Sequence, residues 1–325
     1  RAYSFLGVTI LIVGCLLVMP VVASESGMTL QSSGRIAYYP NSYIIYTDDT
    51  NYYAKNATTG MVDFSDTNAT TLAVNVFGNL SNGGMVFFKA GTYTLNTLSF
   101  NFNNTIIDGE GESSILQLAS GQSAIAHCRL FFISNCQNVT IQNIRVDGNL
   151  PNNNSTAGNP TGIVIRNSQH VTVQNCYITN WRNFGIHVDS VTSTSDVYDV
   201  NIIGNHVINC LWNGIMFYTY TAGSLLHDCL AINNYVEGSC DIALDTCGEI
   251  GATQSYGVEF INNIVNGYLT YPGYGSGGTP DACFGVRLEY GYGHLVQGNT
   301  IYNVPQGIAD SPWAAGNNMI LDNTI

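Results

Sequence analysis

The sequence predicts an all-β fold, a parallel β-helix solenoid with a short helix at its start. Three observations predict this class: a segment that recurs about every 30 residues, short β-branched strands of alternating polarity, and no helical period between them. The chain has 325 residues, of which 45% are hydrophobic. It is therefore long enough to bury the continuous core that a stack of coils encloses.

The recurring segment ends in asparagine, as in VTVQN at 171–175 and LAINN at 230–234. An asparagine tolerates left-handed backbone at a corner, and its amide can bond the same residue one coil above and below. We therefore expect an asparagine ladder along one corner of the solenoid. Its predicted members are Asn143, Asn175, Asn205, Asn234, Asn263, Asn299 and Asn323, at gaps of 32, 30, 29, 29, 36 and 24 residues.

A second strand of the type Gly-Ile-x-Val follows most of these segments, beginning at 162, 185, 214, 241, 285 and 307. Side chains alternate along a strand, so the Ile and Val positions point inward and the positions between them point outward. The first predicted outward column is Val164, His187, Met216, Ala243, Arg287 and Ala309. The second is Arg166, Asp189, Tyr218, Asp245, Glu289 and Ser311.

Residues 63–116 precede the repeat and have the features of a solenoid cap. Asp66 or Thr67 can cap a helix at about 69–80, Gly83-Gly84 forms a turn, and KAGTY at 89–93 ends a strand. With the repeat, this segment resembles the right-handed parallel β-helix proteins of the pectate-lyase-like superfamily. The resemblance covers about 60–325 and implies right-handed coils and a carbohydrate-active protein.

Two segments lie before the β-helix domain of residues 63–325. The Tyr-rich residues 24–62 look like the lead-in hairpin that precedes the cap in some family members. Residues 1–23 are predicted to be a signal peptide, because 5–23 are uncharged and end in a small-residue cleavage site. An uncleaved membrane anchor and a lipoprotein signal at Cys15 are the alternatives. All three place the protein outside the cytoplasm, secreted or at the cell surface, where seven Asn-x-Ser/Thr sequons suit a glycoprotein.

Charge and cysteine content limit the partners. The net charge is −13 with only 9 Lys and Arg, so nucleic acid and anionic membrane surfaces are poor partners. Membrane contact is expected only through an uncleaved N-terminal segment, and the oligomeric state stays open. Eight cysteines follow residue 23 without zinc-binding spacing, and buried small side chains are favoured over disulfides. Ordinary turn or surface positions are predicted for His127, His170, His206, His227 and His294.

The outward columns hold the candidate catalytic residues Asp189, Asp245, Glu289 and Arg287. Coils stack about 4.8 Å apart, so Asp245 and Glu289 are expected roughly 5 Å apart, as in retaining glycosidases. Asp189 and Asp245 are expected roughly 9–10 Å apart, near the upper end for inverting enzymes. The three carboxylates could instead bind Ca²⁺. The resemblance to lyases makes Arg287 or Arg166 candidate uronate ligands, with Arg287 the candidate base.

Substrate contacts are expected from Arg166, His187 and Tyr218 on the same face. Trp181 and Trp212 precede successive strands, where their rings can stack on sugars or pack in the core. The polygalacturonase motifs Asn-Thr-Asp, Asp-Asp, Gly-His-Gly and Arg-Ile-Lys are absent, as is a pectate-lyase calcium signature. The site assignment therefore depends on the column alignment alone.

These features predict an exported polysaccharide lyase or glycoside hydrolase that binds a polysaccharide or cell-surface glycan in the groove of the β-helix. The alternative from another class is a non-enzymatic glycan-binding protein of the adhesin or cell-envelope type. Outward charged side chains are also what any solvent-facing strand carries, and exposed pairs contribute well under ~1 kcal/mol. A phage tailspike is a third interpretation, against which the export segment argues.

Overall fold

The computed structural model describes residues 28–30, 36–38, 42–80, 82–100, 103–155, 157–239, 241–249, 255–268, 283–311 and 316–325. The predicted signal or anchor segment, residues 1–23, lies outside this part of the chain. No helix within the described residues combines the length and the apolar composition that a bilayer span requires.

Strands dominate the described residues, and a single α-helix, α1 (Ala69–Gly78), accompanies them with two short 3-10 turns at Gln122–Ala124 and Leu150–Asn152. The strands in chain order are β1 (Met28–Leu30), β2 (Ile36–Tyr38), β3 (Ser42–Thr47), β4 (Tyr52–Asn56), β5 (Val62–Asp66), β6 (Gly84–Phe88), β7 (Gly91–Leu95), β8 (Leu98–Phe100), β9 (Thr105–Gly109), β10 (Gly111–Leu118), β11 (Arg129–Ser134), β12 (Gln137–Gln142), β13 (Ile144–Asp147), β14 (Thr161–Arg166), β15 (Gln169–Gln174), β16 (Tyr177–Trp181), β17 (Ile186–Ser190), β18 (Asp196–Tyr198), β19 (Val200–Ile203), β20 (His206–Cys210), β21 (Ile215–Thr219), β22 (Leu225–His227), β23 (Leu230–Ile232), β24 (Tyr235–Ser239), β25 (Ile242–Gly248), β26 (Ser255–Tyr256), β27 (Glu259–Ile261), β28 (Ile264–Tyr268), β29 (Phe284–Leu288), β30 (Leu295–Gln297), β31 (Thr300–Tyr302), β32 (Gln306–Asp310) and β33 (Met319–Leu321).

The strands stack into three long sheets, which confirms the predicted parallel β-helix. Sheet A is β7-β10-β13-β16-β20-β24-β28-β31, and sheet B is β8-β11-β14-β17-β21-β25-β29-β32. Sheet C runs from β6 through β9, β12, β15, β19, β23, β27 and β30 to β33, and a short sheet D pairs β18, β22 and β26. Each coil passes through C, A and B in turn, so equivalent residues of successive coils lie side by side.

The N-terminal end of the stack is covered by α1 and an antiparallel meander. Strand β3 pairs with β6 in parallel and with β4 antiparallel, and β4 pairs with β5, so the meander extends sheet C. The helix begins after Asn68, whose side-chain Oδ1 accepts hydrogen bonds from the backbone N–H groups of Thr70 and Thr71. The predicted cap residue Asp66 instead accepts the N–H of Asn68 at 2.7 Å. The apolar face of α1 closes the core with Leu72, Ala73, Val76 and Phe77.

Inside the coils, a ladder of buried asparagine amides runs between sheets C and A. The Nδ2 of Asn234 donates to the Oδ1 of Asn263 at 3.0 Å, and that same oxygen accepts the Asn234 backbone N–H at 2.9 Å. Each Nδ2 also donates to a backbone carbonyl of the preceding coil, as from Asn263 to Ala231 at 2.9 Å. The amide is thereby satisfied although no water reaches it. The ladder consists of Asn205, Asn234, Asn263, Asn299 and Asn323.

Asn143 and Asn175, two predicted members, are not in the ladder. They take left-handed backbone, with φ of 51° and 53°, and the ladder position falls on the next residue. In the second case this is Cys176, whose N–H donates to Asn205 Oδ1 at 3.0 Å. The prediction assigned two roles to a single residue. In the structure, one residue adopts the left-handed backbone of the corner, and the next residue points its amide inward. Asn233, with φ of 57°, and the ladder residue Asn234 illustrate the division.

No disulfide joins any two of the seven cysteines in the part of the chain that the structure describes, and six of these cysteines are buried. This confirms the interpretation of the cysteines as small core side chains. Several thiols lie near the backbone carbonyl two residues earlier, as in Cys136 to Ser134 at 3.4 Å and Cys229 to His227 at 3.3 Å. A cysteine therefore fills a tight corner and satisfies its weak donor locally.

The surface of sheet D carries a stack of rings. The centroid of His227 lies 5.4 Å from that of Tyr198 and 4.7 Å from that of Tyr256, and both pairs are near parallel. The ring nitrogens of His227 lie 2.9 and 2.8 Å from carboxylate oxygens of Asp196 and Asp228. The ring faces are covered by neighbouring coils, so this stack supports the corner, as predicted for an ordinary turn histidine.

His294 is fully buried, which contradicts its predicted turn or surface position. Its Nδ1 accepts the backbone N–H of Val258 at 3.2 Å, and its Nε2 lies 3.1 Å from the carbonyl oxygen of Tyr290. Burial lowers the pKa of His294 from 6.5 to about 4. The neutral ring with hydrogen on Nε2 satisfies both contacts, so the residue acts as a structural link between coils.

We predict that Asn263→Ala lowers the free energy of unfolding by about 3 kcal/mol. The substitution leaves the buried N–H of Asn234 and the carbonyl of Ala231 without their partner, and each unsatisfied buried group costs about 1–3 kcal/mol. Urea unfolding followed by circular dichroism measures the loss. The control is Asn201→Ala, which removes only exposed contacts to Asp199. Equal losses in both variants would refute the role of the ladder.

We predict that His294→Gln makes stability less dependent on pH between about 6.5 and 4. Above this window neither state binds the proton, whereas within it the unfolded chain binds a proton that the folded state refuses, so stability falls as pH falls. The contribution of this group amounts to about 3 kcal/mol across the window. Urea midpoints of both proteins across the window measure it, and an unchanged dependence in the variant contradicts the prediction.

Candidate functional site

The outward face of sheet B carries the predicted site residues, but one strand is shifted by two residues. His187 pairs with Met216 and Asp189 with Tyr218, as predicted. Met216 then pairs with Asp245, not with Ala243. The observed first column is Val164, His187, Met216, Asp245, Arg287 and Ala309, and the second contains Arg166, Asp189, Tyr218 and Cys247.

The shift changes the predicted carboxylate columns. Asp245 lies in the first column beside Arg287, so Asp189 and Asp245 do not share a column. The carboxylates of Asp245 and Glu289 still approach each other, because a diagonal step joins them, and Cys247 lies with them. The three ligand atoms, one from each residue, lie within 4.8 Å of one another. The expected close pair of Asp245 and Glu289 is therefore present, whereas the expected common column of Asp189 and Asp245 is not.

Arg166 and Asp189 form a tight ion pair. The guanidinium donates from Nε to Oδ1 at 2.9 Å and from Nη2 to Oδ2 at 2.5 Å, and Asp189 is fully buried. These hydrogen bonds to the carboxylate raise the pKa of Arg166. The guanidinium also lies 5.5 Å from the ring centroid of Phe132, over which Arg129 stacks at 4.0 Å. Both side chains are therefore engaged in this ion pair, and neither is available as an unpaired group on the face of the sheet.

His187 is buried on this face, and its Nε2 has no hydrogen-bond partner among the described residues. Burial lowers the pKa of His187, so the neutral ring is favoured at pH 7. Its ring centroid lies 4.6 Å from that of Phe184 and 6.1 Å from that of Tyr218. An imidazole nitrogen held without a partner among aromatic rings is suited to a hydrogen bond with a ligand hydroxyl.

Tyr218 is anchored by a neighbouring coil. Its hydroxyl donates to Glu249 Oε1 at 2.9 Å, and its ring centroid lies 4.2 Å from that of Tyr220. Burial and this hydrogen bond raise the pKa of Tyr218. The two rings form an aromatic wall beside His187, and a neutral phenol there offers a surface for a sugar ring.

Asp245 is a buried carboxyl with one free oxygen. Its Oδ2 accepts the amide of Asn213 at 2.9 Å, and its Oδ1 has no partner among the described residues. Burial raises the pKa of Asp245 well above its ordinary value, against an opposing effect of the Arg287 charge. The Oδ1 of Asn213 also lacks a partner there. A protonated carboxyl with an unused oxygen is the state required of a general acid.

Glu289 lies beside Asp245 and holds two partners. Arg287 Nη2 forms an ion pair with its Oε1, and Cys247 Sγ lies 2.8 Å from its Oε2. Burial, followed by the charge of Asp245, raises the pKa of the Cys247 thiol, which therefore donates to the carboxylate. Arg287 is thus engaged by Glu289, although the resemblance to lyases makes it a candidate base.

The two tryptophans occupy different environments. Trp181 is fully buried in β16 and donates from Nε1 to the carbonyl of Val146 at 3.1 Å, so its predicted role in binding substrate is wrong. Trp212 is 37% exposed, and its Nε1 donates to Asp241 Oδ2 at 2.8 Å. Its ring lies 5.6 Å from that of Phe184, next to His187. Trp212 therefore keeps an accessible aromatic surface at the edge of the site.

The predicted calcium ligands do not fit Ca²⁺. Asp189 is already paired with Arg166. The carboxylates of Asp245 and Glu289 lie beside the thiol of Cys247 and the guanidinium of Arg287. Calcium binds six to eight oxygen ligands and does not favour sulfur. These side chains therefore do not form a calcium site.

Sequence reasoning missed Asn213, Cys247, Tyr220 and Phe184. The first two follow from the shifted strand, in which ALDTCG at 243–248, not DIALDT at 241–246, pairs with GIMFYT at 214–219. The observed pairing accounts for Gly214, because a Cβ there would lie 2.6 Å from the backbone carbonyl oxygen of Ala243. Every residue has such a carbonyl, so the glycine alone did not reveal which residue lies opposite it.

Comparison with known proteins agrees with the architecture. The family described as the right-handed beta helix region matches residues 129–325, more than half of the chain. The chain therefore belongs to this family. A search of curated proteins found no match.

Solved structures with the same fold share little sequence with this chain. A tailspike protein of Acinetobacter baumannii bacteriophage Fri1, a capsular polysaccharide depolymerase, has a TM-score of 0.56 at 12% identity over 78% of this chain and 50% of its own. ORF18 of Geobacillus virus E2 has a TM-score of 0.54 at 15% identity over 79% and 56%. A polygalacturonase of Erwinia carotovora has 0.50 at 14% identity over 77% and 79%. The chain spans about half the length of the two viral proteins.

We predict that Arg166→Met lowers the free energy of unfolding by about 3–5 kcal/mol, because it leaves the buried charge of Asp189 uncompensated. The double variant Arg166→Met/Asp189→Leu is expected to recover most of the loss. Urea unfolding of the single and double variants measures both values. A single-variant loss below about 1 kcal/mol would show that the pair is not structural, in line with exposed pairs.

Proposed function

We propose that this protein is an exported glycoside hydrolase that binds a glycan across the outward face of sheet B. The observation that carries the proposal is a set of buried polar atoms on this face that have no hydrogen-bond partner among the described residues: His187 Nε2, Asn213 Oδ1 and Asp245 Oδ1. Such atoms cost free energy unless a ligand or water satisfies them. Sugar hydroxyls can both donate and accept, so they suit an imidazole nitrogen, an amide oxygen and a carboxyl together.

In the proposed reaction, Asp245 protonates the glycosidic oxygen as its bond to the anomeric carbon breaks, and Glu289 forms an ester with that carbon. A water deprotonated by Asp245 then hydrolyses the ester, which releases the sugar and restores both carboxyl groups. The raised pKa of Asp245 keeps its proton available near neutral pH, while Arg287 stabilises the negative charge of Glu289. Carboxyl oxygens within 4.8 Å of each other are closer than the roughly 6.5–9.5 Å of inverting enzymes and favour the retaining geometry. Trp212 and Tyr218 would flank the sugar rings.

Two of the solved structures that share the fold act on polysaccharides: the phage tailspike is described as a capsular polysaccharide depolymerase, and another is a polygalacturonase. These descriptions support a glycan substrate for this chain, and a polysaccharide or cell-surface glycan is the proposed partner. Export is supported by the uncharged residues 5–23 and the sequons.

A lyase is less well supported. It requires a base that takes a proton, and the candidate Arg287 is already engaged in an ion pair with the carboxylate of Glu289. The second candidate function is non-catalytic glycan binding, since the free atoms and aromatic surface would serve a bound glycan equally well. The reaction products separate these alternatives.

We predict that the protein releases reducing ends from a polysaccharide panel without the ultraviolet absorbance of unsaturated uronides. Asp245→Asn is expected to reduce kcat by about 10²–10⁴-fold, as for loss of a general acid. The wild-type rate should fall with rising pH above the elevated pKa of Asp245, and this alkaline limb should disappear in the variant. Proton NMR of the first product is expected to show retention of the anomeric configuration.

The matched control is Asp108→Asn, which changes a buried carboxylate on β9 of sheet C, away from the acid pair and the aromatic rings. Its kcat is expected to stay within a few-fold of wild type. New absorbance from unsaturated products would indicate a lyase. Glycan binding without products, unchanged in Asp245→Asn, would indicate the binding protein and refute hydrolysis.

A further inference from the structure

We propose that Asp245, Cys247 and Glu289 form a binding site for a thiophilic divalent cation, best matched by Zn²⁺. One ligand atom from each residue lies within 4.8 Å of the others, and Cys247 Sγ is 2.8 Å from Glu289 Oε2. Asp245 and Cys247 lie on β25, and Glu289 directly follows β29, the neighbouring strand of sheet B. The sequence alone gives no such motif, because Glu289 is separated from the other two residues by one whole coil.

The cluster contains a buried carboxylate oxygen, Asp245 Oδ1, that is able to bind a cation. Asp245 is 1% exposed, and its Oδ1 makes no hydrogen bond among the described residues. A buried carboxylate oxygen of this kind requires a proton, a water or a cation. Because the thiol and the second carboxylate lie next to this residue, a cation there would gain three ligands at once.

Each carboxylate also has a second partner that fixes its orientation. Asn213 donates to Asp245 Oδ2 at 2.9 Å, and Arg287 pairs with Glu289 Oε1. One oxygen of each carboxylate is therefore held by a residue outside the cluster. The other oxygen of Asp245 has no partner among the described residues, and the other oxygen of Glu289 contacts the Cys247 thiol. Metal-binding carboxylates are commonly supported by such outer hydrogen bonds.

The charges balance when a divalent cation is bound. Two carboxylates and a thiolate carry three negative charges, and a divalent cation together with Arg287 supplies three positive charges. Without the cation the ligands repel one another, so protons must remain on some of them.

Chemistry selects the type of metal. A thiolate with two carboxylates suits Zn²⁺, whose bonds are about 2.3 Å to sulfur and 2.0–2.2 Å to oxygen, and such bonds place neighbouring ligand atoms about 3.5 Å apart. Side-chain rotations would reach this spacing from the observed cluster. Cys247 and Glu289 are half-buried, which leaves access for the ion and an open coordination position. The cation would also occupy Asp245, so the metal-bound form would lack the acid of the proposed hydrolysis.

The test uses the chelator-treated protein with ZnCl₂ and with CoCl₂ as a spectroscopic probe. We expect one Zn²⁺ per chain in competition with a chromophoric chelator, and a thiolate-to-cobalt charge-transfer band in the near ultraviolet. Cys247→Ala should remove the band, and Asp245→Asn and Glu289→Gln should weaken Zn²⁺ binding at least tenfold. Asn213→Ala should weaken it about tenfold, as for loss of an outer partner.

The matched control is Cys283→Ala, which removes another thiol near the same sheet and should keep both the band and the affinity. Zn²⁺ should raise the melting temperature of wild type and of this control, but not of Cys247→Ala. Less than one ion per chain, or a band that survives Cys247→Ala, would overturn the proposal. Both readouts are independent of catalysis, so the result stands whether or not the proposed hydrolysis is found.

Discussion

The structure depends on the hydrogen bonding of each coil to the next, and the buried asparagine ladder is where this constraint is strictest. An amide such as Asn263 must find partners above and below it, because water cannot reach the core. Coils must therefore return to the same corner after each circuit. The gap of 36 residues between Asn263 and Asn299 still ends in a ladder contact, and the longest connection within it joins β28 to β29.

The same stacking creates the candidate site. Outward side chains of successive coils are forced to within about 5 Å of one another, so charges on this face must be paired or protonated. Arg166 with Asp189 and Arg287 with Glu289 are pairs of the first kind. Asp245 represents the second kind, since burial raises its pKa and one oxygen has no partner in the described part of the chain. The tight stacking of coils thus produces a buried carboxyl whose raised pKa favours the protonated form.

The proposed hydrolysis and the proposed cation binding both depend on one cluster of closely spaced acidic side chains. Asp245 and Glu289 are close enough to act as an acid and a nucleophile, and with Cys247 they are close enough to surround a cation. Either a proton or a metal ion can neutralise the excess negative charge of this cluster. The surroundings are made apolar by the rings of Phe184, Trp212 and Tyr218. Binding of a proton or of a metal ion has large electrostatic effects in such surroundings.

The sequence by itself determined the solenoid, because a period of about 30 residues with alternating strands and recurrent asparagines is compatible with few other folds. It also determined the helix, observed at Ala69–Gly78, and the outward direction of His187, Asp189 and Glu289. Only the tertiary structure decided the register. Moving a strand by two residues preserves the alternation of inward and outward side chains, so the pattern could not distinguish Ala243 from Asp245 as the neighbour of Met216. The burial of Trp181 and the place of Cys247 beside Glu289 depend on contacts between coils, which no single strand encodes.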